Sequence, residues 1–304
     1  MPRHFLSLMD VTRDELLGLI DRGIELKGLR GKPGHPSPLA GKAIAILMEK
    51  ASTRTRISFE VGVHELGGYP MPLAGRDTQL GRSEPLEDTA RVLSGYLAGV
   101  ILRTHGHDRI QTLAGVSRIP FINALTDKFH PCQLLADLMT VEEHREGGLD
   151  DLKVAWIGDG NNMAHSWILA AAQVGFELRL ACPEGYRPAQ DVLETARATG
   201  RGSVTITTDV MEAARDADVV TTDVWASMGQ EEEAAARRIA FRNHCVTEQT
   251  MEAAAEGAIF LHCLPAHRGE EVEAAVIDGP ASRVWDEAEN RLHAQKALLE
   301  LLYG

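Results

Sequence analysis

Short apolar segments of strand length alternate with helical patterns along most of the chain. The strand-like segments lie at 43–47, 99–102, 119–123, 154–157, 177–181, 204–207, 218–222 and 258–262. Apolar strands that are separated by helices are typical of a parallel sheet covered on both faces. The pattern therefore predicts an α/β fold.

The strand-like segments form two series, and a chain of 304 residues is long for a single domain. A long helical pattern at 129–146, ended by Gly147 and Gly148, separates the two series. We therefore expect two domains, 1–128 and 129–285, each with a parallel sheet flanked by helices and joined by interdomain helices. The last helical pattern, at 286–304, is expected to pack back onto another element.

Composition and charge exclude several classes of function. The formal net charge of −13 repels nucleic acid and anionic lipid, and no apolar run reaches the ~20 residues of a membrane span. The four cysteines form no CxxC pair, which argues against a zinc cage or a secreted disulfide framework. We expect a cytoplasmic protein with no metal, no cofactor, no nucleic-acid partner and no membrane partner.

The segment 49–56 (EKASTRTR) follows a strand and begins a helix. A helix start offers free N–H groups and the positive end of the helix dipole, so it favours an anion. Ser52, Thr53 and Thr55 add hydroxyl donors, and Arg54 adds a forked cation suited to phosphate. The alternative is an ordinary helix cap with solvated arginines. Because the segment lacks the GxxxxGK[ST] pattern, it does not indicate a nucleoside triphosphate.

Several further motifs occur in the same order as in one known family. They are 59–60 (FE), 130–133 (HPCQ), 158–162 (GDGNN), 223–229 (DVWASMG), 262–265 (HCLP) and 288–291 (AENR). With segment 49–56 they resemble the aspartate/ornithine carbamoyltransferase family over essentially the whole chain. The DxWxSMG pattern is similar to the ornithine-specific members, and putrescine and acetylornithine are the alternative acceptors. The resemblance implies carbamoyl transfer from carbamoyl phosphate to the side-chain amine of L-ornithine, giving L-citrulline and phosphate.

The resemblance also implies roles for individual residues. It implies a carbamoyl phosphate-binding first domain, with segment 286–304 packing back on it, and an ornithine-binding second domain. The implied catalytic residues are Arg103, His130, Asp223 and Cys263. The implied carbamoyl phosphate ligands are Ser52, Thr53, Arg54, Thr55, Gln79, Arg103, His130, Gln133, Cys263, Leu264 and Arg291, and the implied ornithine ligands are Asn162, Asp223, Ser227 and Met228.

Gln79 matches a family segment that reaches into a neighbouring subunit's site. The resemblance therefore implies a homotrimer with shared sites, which can assemble further. Without the resemblance, a solvated loop is the simpler interpretation of Gln79.

Two rival functions remain open on the sequence. The first is a nicotinamide-dependent oxidoreductase, because a strand runs into Gly158-x-Gly160; however, Met163 stands where the third glycine of a dinucleotide turn belongs. The second is a non-catalytic member of the same fold that binds an amino acid or serves as a regulatory subunit. A citrulline-forming assay distinguishes both from a carbamoyltransferase.

Overall fold

The computed structural model describes residues 2–75, 84–226 and 233–304, which form two compact units. Unit 1 comprises the chain up to Ala136 together with Asn290–Gly304. A short 3₁₀ helix, Leu8–Asp10, comes first. The other elements of unit 1 are α1 (Arg13–Leu29), β1 (Ala43–Met48), α2 (Thr53–Glu65), β2 (Tyr69–Ala74), α3 (Leu86–Tyr96), β3 (Gly99–Arg103), α4 (His107–Val116) and β4 (Phe121–Leu125).

The sheet of unit 1 is parallel, with strand order β2-β1-β3-β4. The inner strands β1 and β3 are the most apolar, and every residue of β3 is buried. β2 lies at the edge and contains Pro70 and Pro72. Proline lacks a backbone N–H and is tolerated only where one side of a strand has no partner, so these prolines suit an edge position.

Unit 2 comprises Asp137–Glu289. Its elements are β5 (Lys153–Ile157), α6 (Asn162–Val174), β6 (Glu177–Ala181), α7 (Gln190–Ala198), β7 (Ser203–Thr207), α8 (Val210–Ala214), β8 (Val219–Thr222), α9 (Ala234–Phe241), α10 (Glu248–Ala253), β9 (Ile259–His262) and α11 (Ala274–Ile277). The sheet is again parallel, with order β7-β6-β5-β8-β9. The buried residues of β5, β8 and β9 pack with those of the flanking helices in an apolar core.

Two helices carry residues of both units: α5 (Pro131–His144) passes from Ala136 to Asp137, and α12 (Val284–Tyr303) passes from Glu289 to Asn290. Two parallel sheets flanked by helices, with the C-terminal residues belonging to the first unit, confirm the predicted fold class. The predicted domain limits at 128/129 and 285/286 lie near these helices and stay a prediction. Within the described residues, no helix combines the length and apolar character needed to cross a membrane.

Most strands lie within one or two residues of their predicted positions. Besides the short 3₁₀ helix Leu8–Asp10, three described elements were not predicted. These are β2, whose two prolines disguise a strand, and the helices α9 and α11. At the N-terminus of α1, Thr12 caps the helix and Glu15 returns the bond in a capping box.

Candidate active site

The first group of predicted site residues lies at the carboxyl ends of β1 and β3. These strands are neighbours, and Met48 pairs with Arg103. The backbone N–H of Glu49 donates to the Arg103 carbonyl at 2.9 Å, which holds the turn from β1 into α2 beside Arg103. In the sheet β1 lies between β2 and β3, so the chain passes to one side of β1 at β2 and to the other side at β3. α/β sheets bind ligands at such a change of direction.

Thr55 is the centre of this group. Its Oγ1 lies 3.1 Å from Arg291 Nη2 and 3.5 Å from Arg103 Nη1, and the other terminal nitrogen of Arg291 donates to Gln133 Oε1 at 2.7 Å. With His130, these residues form what we call the Thr55 cluster, and all five are buried. Two guanidinium groups that converge on one hydroxyl create a strongly positive, poorly hydrated position suited to an oxyanion.

The start of α2 adds to this positive position. Ser52 is the N-cap: its hydroxyl accepts from the Thr55 N–H at 3.3 Å and donates to Thr55 Oγ1 at 3.0 Å. Thr53 and Arg54 lie on the first turn of α2, where the N–H groups and the helix dipole favour an anion. The predicted residues Ser52, Thr53, Arg54 and Thr55 are therefore brought together with Arg103, His130, Gln133 and Arg291 within unit 1.

His130 is neutral at physiological pH. Burial lowers the pKa of its imidazole well below the usual value, and the nearby charges of Arg291, Arg103 and Arg54 lower it further. A neutral imidazole keeps one N–H group, which can donate a hydrogen bond to a developing oxyanion.

The second group lies in unit 2, around Asp223. Asp223 follows β8, and Cys263 follows the adjacent strand β9. The Cys263 thiol donates to Asp223 Oδ1 at 3.2 Å, and Asn161 Nδ2 donates to Asp223 Oδ2 at 2.9 Å. Asn161 also caps α6 by accepting from two backbone N–H groups, and α6 begins with the predicted ligand Asn162. We call Asn161, Asn162, Asp223 and Cys263 the Asp223 cluster.

Cys263 is present as a thiol. Burial raises its pKa well above the usual value, and the negative charges of Asp223, Glu287 and Asp137 raise it further. The sulfur is therefore a neutral hydrogen-bond donor to Asp223 and not a thiolate at neutral pH.

Replacing Cys263 by alanine is expected to move the acid limb of the kcat/KM profile to higher pH. Without the S–H donor the negative charge of Asp223 is no longer shared with the thiol. It then acts more strongly on an amine bound near it and favours the protonated amine. Steady-state kinetics across the pH range measure the shift. Cys263→Ser keeps a hydrogen-bond donor, so its shift should be smaller. Cys245→Ser is the matched control, because its thiol contacts the Val246 carbonyl. An acid limb identical to wild type in Cys263→Ala removes Cys263 from this role.

The Leu264 backbone is held in an unusual conformation. Its φ is +58°, in the left-handed region that costs a branched residue about 1 to 2 kcal/mol. The Leu264 N–H donates to His262 Nδ1 at 2.8 Å, and the other nitrogen of the buried His262 ring lies 3.2 Å from Glu271 Oε1. The pair of His262 and Glu271 thus fixes the backbone at two predicted ligands, Cys263 and Leu264.

Sequence reasoning missed the residues that support these groups. Arg237, which is buried, donates to Asp159 Oδ2 at 2.7 Å and to the Trp225 carbonyl at 2.8 Å, and so joins α9 to the segments after β5 and β8. Asn161 was within reach of prediction, because it lies in the motif 158–162. The partners of Arg237 and His262 lie 78 and 9 positions away in the sequence and leave no local signal.

Three predicted ligands, Gln79, Ser227 and Met228, lie outside the described residues. Of the rest, the Thr55 cluster and segment 52–55 belong to unit 1. Asn162, Asp223, Cys263 and Leu264 belong to unit 2. Their roles as ligands stay predictions.

One unit has a parallel sheet with a helix start suited to an anion, and the other has the Asp223 cluster at the switch point of its sheet. Both features are typical of an α/β enzyme. The chain belongs to the aspartate/ornithine carbamoyltransferase family. The model of the family's carbamoyl-P binding domain matches residues 3–143, and the model of its Asp/Orn binding domain matches residues 150–302.

Individual relatives are similar over the full length. The chain is 59% identical to the ornithine carbamoyltransferase of Halorhodospira halophila, covering 99% of this chain and 98% of that protein. It is 53% identical to the anabolic ornithine carbamoyltransferase of Pseudomonas aeruginosa, covering 99% and 97%. Among solved structures, the ornithine carbamoyltransferase of Pyrococcus furiosus is 46% identical with a TM-score of 0.94, covering 99% of this chain and 97% of the other.

Proposed function

We propose that the protein transfers the carbamoyl group of carbamoyl phosphate to the side-chain amine of L-ornithine, releasing L-citrulline and phosphate. The observation that carries the proposal is the convergence of Arg103 and Arg291 on Thr55 at the start of α2. The full-length similarity to proteins named ornithine carbamoyltransferase favours ornithine over putrescine and acetylornithine as acceptor, and favours transfer over oxidoreduction.

Unit 1 would hold the donor. Ser52, Thr53, Arg54 and Thr55 supply helix-start donors for the phosphate, and Arg291 adds a second cation. The side-chain oxygen of Gln133 accepts from Arg291 at 2.7 Å, and an amide oxygen can also accept from the carbamoyl NH₂ group. The remaining proposed ligands of carbamoyl phosphate are Gln79 and the backbone carbonyls of Cys263 and Leu264.

The chemistry requires a neutral amine to attack the carbonyl carbon. As the C–N bond forms, the carbonyl oxygen becomes negative, and Arg103, Thr55 and the neutral His130 can donate to it. The bond from the carbon to the phosphate oxygen then breaks, and the proton that the amine loses passes to the leaving phosphate, which departs as hydrogen phosphate. The start of α2 and Arg291 stabilise the charge on the leaving phosphate.

Unit 2 would hold the acceptor. The Asp223 carboxylate accepts from Asn161, Cys263 and the Val224 N–H, so it is fixed in orientation before ligand binds. Asp223 and Asn162 would bind the α-amino and α-carboxylate groups of ornithine, and Ser227 and Met228 would complete the contacts. An acetylated α-amine loses its charge, and putrescine lacks the α-carboxylate, so both acceptors lose contacts made by ornithine.

The direct test is a citrulline-forming assay with ornithine, putrescine, acetylornithine, lysine and aspartate as acceptors. We expect the highest kcat/KM with ornithine. A higher value with another amine assigns that acceptor instead, and no carbamoylated product with any of them would contradict the proposal. Binding of a nicotinamide cofactor would favour the oxidoreductase alternative.

Replacing Arg54 by alanine is expected to raise the KM for carbamoyl phosphate by about ten- to a hundredfold, because a charge-assisted bond to a phosphate is worth roughly 1.5 to 3 kcal/mol. Steady-state kinetics at saturating ornithine measure the change. Arg56→Ala is the matched control, since Arg56 lies on the same helix and pairs with Glu60 at 2.6 Å. Wild-type donor affinity and rate in Arg54→Ala would refute the proposed phosphate site.

Assembly and compartment are finer parts of the proposal. Unit 1 exposes large apolar side chains at Ile57, Tyr69, Val92 and Tyr96, which suits a subunit contact in a homotrimer. Gln79 would then reach a neighbouring subunit's site. The four cysteines, all within the described residues, are free thiols, which suits the reducing cytoplasm.

A further inference from the structure

A completely buried lysine lies on α12, five residues beyond Arg291. The Lys296 side chain is 0% exposed, and its Nζ donates to Glu65 Oε2 at 2.8 Å and to His35 Nε2 at 3.1 Å. Burying an ammonium group is costly unless it is paired and hydrogen-bonded. Because Glu65 is the last residue of α2, the pair connects α12 to the end of that helix.

The same two helices also meet at the Thr55 cluster. Thr55 lies in the first turn of α2 and accepts from Arg291 of α12. Between the two polar contacts lies Gly62, where a Cβ atom would come within 3.4 Å of Lys296 Cγ and 3.5 Å of Leu292 Cδ1. A polar contact on each side of a close apolar contact restrains α12 from sliding along α2 and from rotating.

The groups around Glu65 keep its carboxylate ionised. Burial acts to raise the pKa of Glu65, but hydrogen bonds from Lys296 and Arg30 outweigh it and hold that pKa below its usual value. Burial, with the charges of Lys296, Lys27 and Arg30, lowers the pKa of the adjacent His293 to about 4. At neutral pH Glu65 is therefore an anion, and His293 adds no further positive charge.

We propose that Lys296 and Glu65 are a positioning pair, which fixes α12 on α2 so that the Arg291 guanidinium stays aimed at the phosphate of the donor. This inference rests on the proposed function. Neither side chain is assigned a contact with substrate; they act through Arg291 and Thr55. Misplacing a functional group by about 1 Å can lower its contribution to binding or rate by about a hundredfold. A small shift of α12 therefore has a measurable consequence.

The test compares Lys296→Met with the double variant Lys296→Met/Glu65→Gln. Methionine keeps the length of the side chain. In the single variant Glu65 loses its bond from Lys296 and retains its bond from Arg30 Nε at 2.9 Å, so some loss of Tm is expected. Replacing a buried ion pair by neutral groups is often neutral for stability, so the double variant should recover the wild-type Tm. The dissociation constant of inorganic phosphate, by calorimetry, and the KM for carbamoyl phosphate report on Arg291.

We expect both constants to rise by about ten- to a hundredfold in both variants, while the KM for ornithine stays at the wild-type value. Glu300→Gln is the matched control. Glu300 lies on α12, like Lys296, and its Oε2 pairs with Arg22 Nε of α1 at 2.6 Å. Loss of this pair should leave phosphate affinity unchanged. Wild-type phosphate affinity in the double variant, or an equal loss in Glu300→Gln, overturns the positioning role. A wild-type protein that binds phosphate but forms no citrulline overturns the proposed function alone.

Discussion

Replacing Arg103 by methionine is expected to lower kcat/KM for carbamoyl phosphate by about a hundred- to a thousandfold, the cost of removing one preorganised donor to a developing oxyanion. Arg103 is buried at the end of β3, where its guanidinium lies 3.5 Å from Thr55 Oγ1. No water can replace a donor at a position that is closed to solvent, so the loss falls mainly on the transition state. Steady-state kinetics with ornithine saturating, followed by citrulline formation, measure it.

The matched control for Arg103→Met is Arg118→Gln, an exposed arginine of the same unit that should keep the wild-type rate. Arg103→Lys should be intermediate, because an ammonium keeps the charge but cannot present two parallel donors. Methionine at position 103 with wild-type kcat/KM would exclude the guanidinium from the reaction. A loss confined to Tm would mean that Arg103 only supports the fold.

The second large effect is expected for Asp223→Asn. Removing one partner of a buried, hydrogen-bonded charge pair costs about 2 to 5 kcal/mol, so kcat/KM for ornithine should fall by roughly thirtyfold or more. Oδ1 accepts from Cys263 and Val224, and Oδ2 accepts from Asn161. An amide has one oxygen only, so the variant also opposes a donor to a donor on one side of the cluster.

The affinity for phosphate measured without ornithine should not change in Asp223→Asn, because every proposed phosphate ligand lies in unit 1. Asp209→Asn is the matched control: Asp209 caps α8 by accepting from the Met211 and Glu212 N–H groups, and asparagine caps equally well. Equal losses with ornithine and with putrescine would contradict the role given to Asp223, since putrescine has no α-carboxylate or α-amino group at a chiral centre to be recognised.

The sequence predicts the fold where local patterns are strong. Buried parallel strands such as β6 are runs of apolar or alternating residues that need no distant information, and the predicted 177–181 is the observed Glu177–Ala181. β2 was missed because Pro70 and Pro72 argue against a strand unless it is known to lie at the edge, and edge position is a property of the sheet order. α9 follows the polar segment 230–233 (QEEE), which reads as a loop.

The candidate site shows the same division. The helix start at Ser52 is visible in the residues themselves, because a cap, hydroxyls and arginines occur together after a strand. Arg291 and Gln133 are separated from Thr55 by 236 and 78 positions, and only the family resemblance brought them to one site. Lys296 and Glu65 are separated by 231 positions and belong to no motif, so the sequence alone does not reveal their pairing.

Unit 1 is discontinuous in sequence, because the whole of unit 2 lies between Ala136 and Asn290. On the ribosome, therefore, the first sheet emerges before Arg291 and Lys296, which follow only after the whole of unit 2. A nascent chain has the time to fold unit 2 before unit 1 can be completed. A truncated product that ends before α12 retains the strands of both sheets and all four cysteines, yet it lacks Arg291 and cannot assemble a complete phosphate site.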